Sequence, residues 1–339
     1  MKLKTILALS TSLATVVTAH AAIGQEITMR VADVYPTTHP VPNSTIRVFM
    51  EEVESRVGDQ IGFEYYPAQQ LGSGADLLSL TQEGVVDIGL VVPSYISDIL
   101  PLSAVSELPG AYGSSCEGTM AMHELMTGDG ILAREEFNPN DVRVLITHAF
   151  APFQAFSTQS FESLASYEGQ KLRTLGLVTD LTIESLGATP IRISAPEINE
   201  AMSRGTIDGG LLGVATVLSY DLVPYVRSGT YGESFGGAVV TYTISHSNWE
   251  RLSPEVQEAM TEAGRMATLS GCEAADDAVD TQYDTLRDAD VQIVELSEED
   301  AATFATSTAR IGETWAESLN ERGRPGTEVL EAFRAALAD

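Results

Sequence analysis

Apolar and polar positions along this chain follow two periods that take turns. Ile27 to Val34 alternates every second residue in β-prone types and predicts a strand. Ser44 to Val57 places apolar residues every third or fourth position and predicts a helix with Ser44 as its cap, and Gln60 to Tyr66 returns to the strand pattern. A βαβ opening of this kind belongs to an α/β fold. A helix is expected from about Ala75 to Gln82, a strand over Asp87 to Val92, and a helix over Cys116 to Met126. The same grammar then restarts: strands at Val142 to Thr147, Gln154 to Ser157 and Lys171 to Leu175, a helix at Val178 to Leu186, a strand at Thr189 to Ile193, and a helix opened by Pro196 with Ser194 as its cap.

A repeated phrase marks the restart. Gly84-Val85-Val86-Asp87-Ile88-Gly89-Leu90 recurs as Gly205-Thr206-Ile207-Asp208-Gly209-Gly210-Leu211, each copy leaving a helical stretch and entering a short apolar strand. Two lobes of similar architecture are the simplest cause. Ala238 to Ser245 reads as a further strand, but no third copy follows it. Instead Pro254 to about Asp288 is almost free of Gly and Pro and predicts one unusually long helix, with shorter helices at about Glu298 to Asn320 and Gly326 to Leu337. The expected division is residues 22–150 plus 239–279 for lobe I and residues 151–238 plus 280–339 for lobe II. With no low-complexity linker between them, the hinge is expected to consist of crossing strands.

Composition narrows the setting. Met1 to Ala21 carries Lys2 and Lys4, an apolar run from Ile6 to Val17 and then Ala19-His20-Ala21, the outline of a cleavable export signal. The run is shorter than the ~20 residues needed to span a bilayer. A soluble periplasmic protein is therefore expected, and no lipobox cysteine argues for an anchor. The formal charge is −29, and once the two leader lysines are gone 17 basic residues face 48 acids. This excess excludes nucleic acid and anionic lipid as partners and demands a local cation for any anionic ligand. Cys116 and Cys272 are the only cysteines, in a compartment that permits disulfides, and their spacing leaves pairing open. No cofactor motif is present.

Gly232-Glu233-Ser234-Phe235-Gly236 matches the G-x-S-x-G elbow of hydrolases, yet an elbow needs an apolar strand before it and a helix after it. Arg227-Ser228-Gly229-Thr230 precedes it, a strand follows it, and His246 comes too soon for the usual order of a triad. A Gly-rich turn, with Phe235 lining a pocket, is the better account. Gly72-Ser73-Gly74 lacks the Lys-Ser/Thr of a phosphate loop and reads as a helix start. His39, His123, His148 and His246 show no metal-ligand spacing, but His39 lies on the loop after the first strand, where α/β lobes present ligand contacts. Arg173 is a scarce cation inside a predicted strand, on the face opposite Leu172. A guanidinium held on a rigid strand is pre-organised to grip a carboxylate or sulfonate through two parallel hydrogen bonds.

Several segments taken in order carry a family likeness: Gly-Gln-Lys-Leu-Arg at 169–173, Arg-Gly-Thr-Ile-Asp-Gly at 204–209, Asn248-Trp249 with Leu252-Ser253-Pro254, and the long helix after them. The chain resembles the solute-binding subunits of tripartite ATP-independent periplasmic (TRAP) transporters, the C4-dicarboxylate-binding family, over nearly its whole mature length. The resemblance implies a two-lobed periplasmic-binding-protein fold of type II-like form, a long helix bridging both lobes, no enzymatic activity, and delivery of the loaded form to membrane permease subunits. It also implies that Arg173 makes the main salt bridge to a ligand carboxylate. Many members carry a second arginine where this chain has Pro152-Phe153-Gln154, and an asparagine is replaced within Gly210-Leu211-Leu212-Gly213.

One cation and a neutral amide point to a ligand with a single acidic group and a less polar body. The expected site is Arg173 as anchor, Gln154 as a second polar contact, Tyr35, His39, Ser94 and Tyr95 from lobe I, Phe150 and Phe235 as apolar walls, and Gly213 beside them. Aromatic walls would also accept a quaternary ammonium, so an ABC-type receptor for a zwitterionic osmolyte stays as an alternative. A secreted hydrolase using Ser234 is the other. A monomer is expected.

Overall fold

The computed structural model describes residues 27–338, and the export signal expected over residues 1–21 lies outside them. Strand β1 (Ile27–Ala32) runs parallel to both β2 (Ile61–Tyr66) and β3 (Ile88–Val91), which flank it. Helices α1 (Pro40–Ser44) and α2 (Ile46–Val57) form the first crossover and α3 (Leu77–Gln82) the second. Helix α1 begins earlier than the expected cap at Ser44, because His39 caps it and Pro40 supplies a fixed φ at its first position. Helix α4 (Ser115–Met126) leads to β4 (Val142–Ala149) at the sheet edge.

The chain then builds a second sheet with the same logic. Strand β5 (Gln154–Ser157) is followed by β6 (Lys171–Thr174), helix α5 (Leu177–Ser185), β7 (Thr189–Arg192), helix α6 (Ile198–Ser203), β8 (Gly209–Leu212), helix α7 (Val214–Ser219) and β9 (Ser228–Tyr231). Strand β10 (Val239–Ser245) returns to the first sheet, giving the order β2-β1-β3-β10-β4. Helices α8 (His246–Glu250) and α9 (Pro254–Asp288) follow, and then β11 (Gln292–Glu295) completes the second sheet in the order β11-β9-β5-β8-β6-β7.

The two orders are copies of each other up to the fourth strand. In both, a central strand lies parallel between two neighbours (β2-β1-β3 and β7-β6-β8), and an antiparallel strand, β10 or β5, comes next. The repeated phrase supplies the same joint twice. Asp87 Oδ2 accepts the backbone N–H of Arg30 at 2.8 Å, and Asp208 Oδ2 accepts that of Lys171 at 2.9 Å. The basic tips also match: Arg30 donates to Gly84 O at 2.8 Å and Lys171 to Gly205 O at 2.7 Å. Both glycines have φ near +70° or +66°, a conformation that favours glycine.

Two antiparallel connections form the hinge between the sheets. Phe150 N–H donates to Ala238 O at 3.0 Å, Phe153 N–H to Gly236 O at 2.8 Å and Phe235 N–H to Phe153 O at 3.0 Å. Helix α9 ties the lobes a second time, since its 35 residues extend ~50 Å at 1.5 Å per residue. Met260, Ala263 and Ala267 pack into the core around the first sheet, whereas Tyr283 and Leu286 pack with Ile198, Ile207 and Leu222 of the second. Gly264 lies so close to the Leu145 carbonyl that a Cβ would stand 2.2 Å from it, so only glycine lets α9 seat on β4. Cys116 and Cys272 are joined, pinning α4 to α9.

Helices α10 (Glu298–Thr308), α11 (Ile311–Asn320) and α12 (Gly326–Ala336) end the chain. Trp315, Leu319, Val329 and Phe333 pack with Leu102, Val105 and Met122, which accompany the first sheet. Helices α11 and α12 thus reach the first lobe, while α10 and α11 also pack against α5 and β11 belongs to the second sheet, so residues 280–339 meet both lobes. The apolar stripes of these helices were visible in the sequence, but a stripe does not say which sheet it will meet.

Candidate functional site

The anchor and its partners lie at the carboxyl ends of the two central strands, where open parallel sheets present ligand contacts. In the first sheet, Asp33 follows β1 and accepts from Tyr35 N at 2.8 Å, Tyr65 Oη at 3.1 Å and Tyr242 Oη at 2.6 Å. Burial raises its carboxyl to about 6, against these hydrogen bonds, which favour the charged form. Asp33 thereby fixes the loop that carries Tyr35 and His39. The two rings stack at 4.2 Å, and Phe150 meets both edge-on at 6.3 Å. His148 lies against the other side of Phe150, at 5.3 Å.

Arg173 occupies the equivalent place in the second sheet. It stands on β6 opposite Gly210 of β8 and is 3% exposed. A Cβ at position 210 would come within 2.7 Å of Arg173 Cβ, so this glycine makes room for the anchor. Nε donates to Ile193 O at 2.8 Å and Nη1 reaches Leu211 O at 3.4 Å. None of the ion pairs among the described residues includes Arg173. Burial lowers its pKa from the usual arginine value, which is the signature of a desolvated cation without a counter-ion in contact.

Around the guanidinium, Tyr35, Tyr95 and Tyr220 all feel its charge, and burial raises the pKa of each phenol. Tyr95 Oη accepts the backbone N–H of Ala195 at 2.8 Å, a bond from one lobe to the other. Ser94 donates to Glu107 Oε1 at 2.6 Å. Burial pushes His39 down to about 3 and His148 to about 4, so both imidazoles are neutral at pH 7. His39 Nδ1 accepts from Val41 N at 3.3 Å, which places its proton on Nε2, and that buried N–H has no partner among the described residues. His148 Nδ1 and Tyr220 Oη are likewise buried and unpartnered. Such groups carry a desolvation cost that a polar ligand atom can remove.

Two cavities open beside this cluster. One of about 330 Å³ is lined by Val41, His148, Phe150, Gly213, Val214 and the Gly271–Ala278 face of α9. The other, of about 460 Å³, runs past Gly74, Ser94, Tyr95, Leu175 and Ile193. Leu211 O contacts Arg173, and Gly213, two residues further along, lines the first cavity. At ~3.3 Å per residue these positions are neighbours along the chain, and Arg173 itself lines neither cavity.

Of the expected site residues, Tyr35 and Tyr95 stand near Arg173, His39 and Phe150 pack on Tyr35, Ser94 lines the cavity beside Tyr95, and Gly213 borders the other cavity. Two expected contacts lie elsewhere. Gln154 lines a separate cavity with Tyr231, Glu233 and Asp280, and its amide is engaged by Thr230 Oγ1 at 2.8 Å and by the carbonyl of Glu233. Phe235 is fully buried against Phe304 of α10, with ring centroids 4.4 Å apart. Among the described residues Ser234 Oγ has no hydrogen-bond partner, histidine included. Sequence reasoning missed Tyr220, Glu107 and Gly210. Only Gly210 carried a signal, since it is the counterpart of Gly89 in the repeated phrase and both oppose the end of a central strand.

The profile of the bacterial extracellular solute-binding proteins, family 7 (DctP), matches residues 31–318. The chain belongs to that family. As a solute-binding protein it can be set beside solved relatives. A TRAP solute-binding protein from a marine metagenome (unidentified microbe), described as specific for aromatic acid ligands and solved with metahydroxyphenylacetate, shares 24% identity with a TM-score of 0.85. The match covers 92% of this chain and 98% of that one. A TRAP solute-binding protein from Rhodoferax ferrireducens T118, in complex with copurified benzoate, gives 24% identity, a TM-score of 0.84 and the same coverage of 92% and 98%. At this identity the likeness establishes the two-lobed fold. The uncharacterized protein YiiZ of Salmonella typhimurium is 28% identical over 163 residues, 47% of this chain, so the chain spans about half (49%) of that relative's length.

Proposed function

We propose that this protein captures a small organic monoacid with an aryl or similarly apolar body between its lobes and hands it to the membrane permease of a TRAP transporter. One observation carries the reading: Arg173 is a buried guanidinium with no ion-pair partner among the described residues, and the phenols of Tyr35, Tyr95 and Tyr220 lie near enough to feel its charge. A buried cation of this kind gains most from a ligand anion that both pairs with it and accepts its hydrogen bonds. The surrounding rings favour an apolar body, in keeping with the aryl acids found in the two solved relatives. With a single cation in the cluster, a second carboxylate on the ligand would be buried without a partner.

Ligand contacts to both Arg173 and the Tyr35–His39 loop exist only when the lobes are together, so binding favours the closed form. The leader over residues 1–21 directs export, with cleavage after Ala21, and the mature receptor acts as a monomer. A thermal-shift panel of benzoate, 3-hydroxyphenylacetate, mandelate, pyroglutamate, galacturonate, succinate and glycine betaine tests the reading. At a hundredfold excess over Kd an aryl acid stabilises by about 2.7 kcal/mol and raises Tm by roughly 5 °C, while succinate and betaine leave it in place. A shift confined to succinate or betaine overturns the proposal.

A further inference from the structure

Glu107 is a further buried titratable group in this region beside Arg173 and Asp33, and nothing in the role proposed for Arg173 accounts for it. It ends the 102–107 segment of the first lobe and is 0% exposed. Across the lobe boundary it lies on the first turn of α5, the helix that β6 enters directly after Arg173. The cap residue of α5 is Gly176, which has no side chain to accept a helix N–H. Thr179 fills that role from inside: its Oγ1 accepts from Leu175 N and Gly176 N, both at 3.1 Å, and donates to Glu107 Oε2 at 3.3 Å. Ser94 closes the other oxygen at 2.6 Å. A Cβ on Gly176, three residues past Arg173, would sit 3.7 Å from both carboxyl oxygens, and Arg173 feels the Glu107 charge.

We propose that Glu107 is the proton-linked counter-charge of Arg173: capture of an organic anion by the guanidinium draws a proton onto this carboxyl. The electrostatics are those of two acids sharing one cation in a low-dielectric site. Without ligand, the ionised carboxyl offsets the arginine. When the ligand anion takes that place, a second negative charge nearby is unfavourable, and protonation relieves it. Because burial already pushes Glu107 up to about 7, the transfer needs little free energy at neutral pH.

Other groups facing the carboxyl do not supply the same response. Asp180 on α5 disfavours its ionised form, and Arg192 on β7 is paired with Asp180 at 2.7 Å. Tyr112, from the loop after the segment, is a phenol whose pKa burial drives above its ordinary value. Of the C-terminal helices, α12 packs on this segment through Val329 and Phe333 in a common apolar core, and the Arg334–Glu313 pair stays more than 40% exposed. His39 and His148 titrate too low to contribute at pH 7. The competitors are Asp33, at about 6, and Glu136, at about 7, which accepts from Ser103 at the other end of the same segment.

This coupling rests on the proposed anion site, and calorimetry separates the two. Titrating the mature protein at pH 7 with whichever acids of the panel bind, in buffers of different ionisation enthalpy, gives the protons taken up per ligand. The proposal expects about half a proton at pH 7 and an affinity that tightens as pH falls from 8 to 6. Glu107→Gln, which keeps the shape and one acceptor oxygen without the charge, should still bind but with uptake near zero and a flat pH profile, whereas Glu136→Gln should retain the uptake. Binding without uptake, or uptake that survives Glu107→Gln, overturns the coupling and leaves the anion site standing. If no acid on the panel binds, the site reading fails and the coupling with it.

Discussion

Tyr95 and Ala195 join the lobes through one hydrogen bond: the phenol oxygen accepts the backbone N–H at 2.8 Å. Tyr95 follows the end of β3 and Ala195 follows β7, so the bond exists only while the halves are together. Tyr95 also stands beside Arg173, which it helps to enclose. Tyr95→Phe should leave the ring packing against Gly74 in place and remove the acceptor. The expected loss is about 1–2 kcal/mol, or roughly 5- to 30-fold in ligand affinity, with little change in the Tm of the unliganded protein. Calorimetry and unliganded melting curves together check this. An unchanged affinity would show that closure does not depend on the bond.

The disulfide closes a loop with a sequence separation of 156 and ties α4 to the long helix. Asp276 strengthens the same joint by accepting from Ser115 N at 2.7 Å and Cys116 N at 3.0 Å. Replacing both cysteines by alanine should lower unfolding stability by up to ~5 kcal/mol, the chain-entropy figure for a loop of this size. Denaturant unfolding of the double variant against the parent measures it.

How much of this could be read in the sequence depends on what each residue's neighbours are. The two-lobed plan was legible, because Asp87 and Asp208 each fix the joint between a central strand and its neighbour, and that job needs the same residues twice. Arg173 stood out in the sequence because only 17 cations follow the leader and this one closes the Gly-Gln-Lys-Leu-Arg segment within a predicted strand. Strands β9 and β11 were not: Ser228-Gly229-Thr230-Tyr231 has no apolar alternation and becomes a strand only by pairing with β5 and β11. Gln154 fits the pattern of a ligand contact equally well, but its partners Thr230 and Glu233 are distant in sequence. Glu107 looked like one acid among 48, and only its burial sets it apart.

Stability should fall as pH rises through neutrality. Burial raises Asp33 to about 6 and Glu107 and Glu136 to about 7, all above their ordinary carboxylate values. The folded protein therefore binds more protons than the unfolded chain between about pH 4 and 7. Their contribution is fully present below the unfolded carboxylate range and is lost as pH climbs through 6 to 7. Melting temperature measured from pH 5 to 8 should decline, and the slope should flatten in a Glu107→Gln, Glu136→Gln double variant.

Salt should act in the stabilising direction. Beyond the leader the chain holds 16 arginines and one lysine, Lys171, against 48 acids. Several of its ion pairs are local and exposed, such as Arg265 with Glu262 and Arg287 with Asp284, so they offset little of the repulsion. Screening shortens that repulsion to ~3 Å at 1 M salt. Raising sodium chloride from 0.05 M to 1 M should raise Tm, and a fall would show that surface pairing outweighs net charge.

The central claim is that Arg173, held on β6 between the lobes, grips the ligand's acid group. Calorimetric titration of Arg173→Ala and Arg173→Lys with an aryl acid that binds the parent protein tests it most directly. Loss of a buried, bidentate charge contact costs about 3–5 kcal/mol, so the alanine variant should bind at least 100-fold more weakly, and lysine should recover only part of that. A folded Arg173→Ala protein with the parent's dissociation constant would contradict the account.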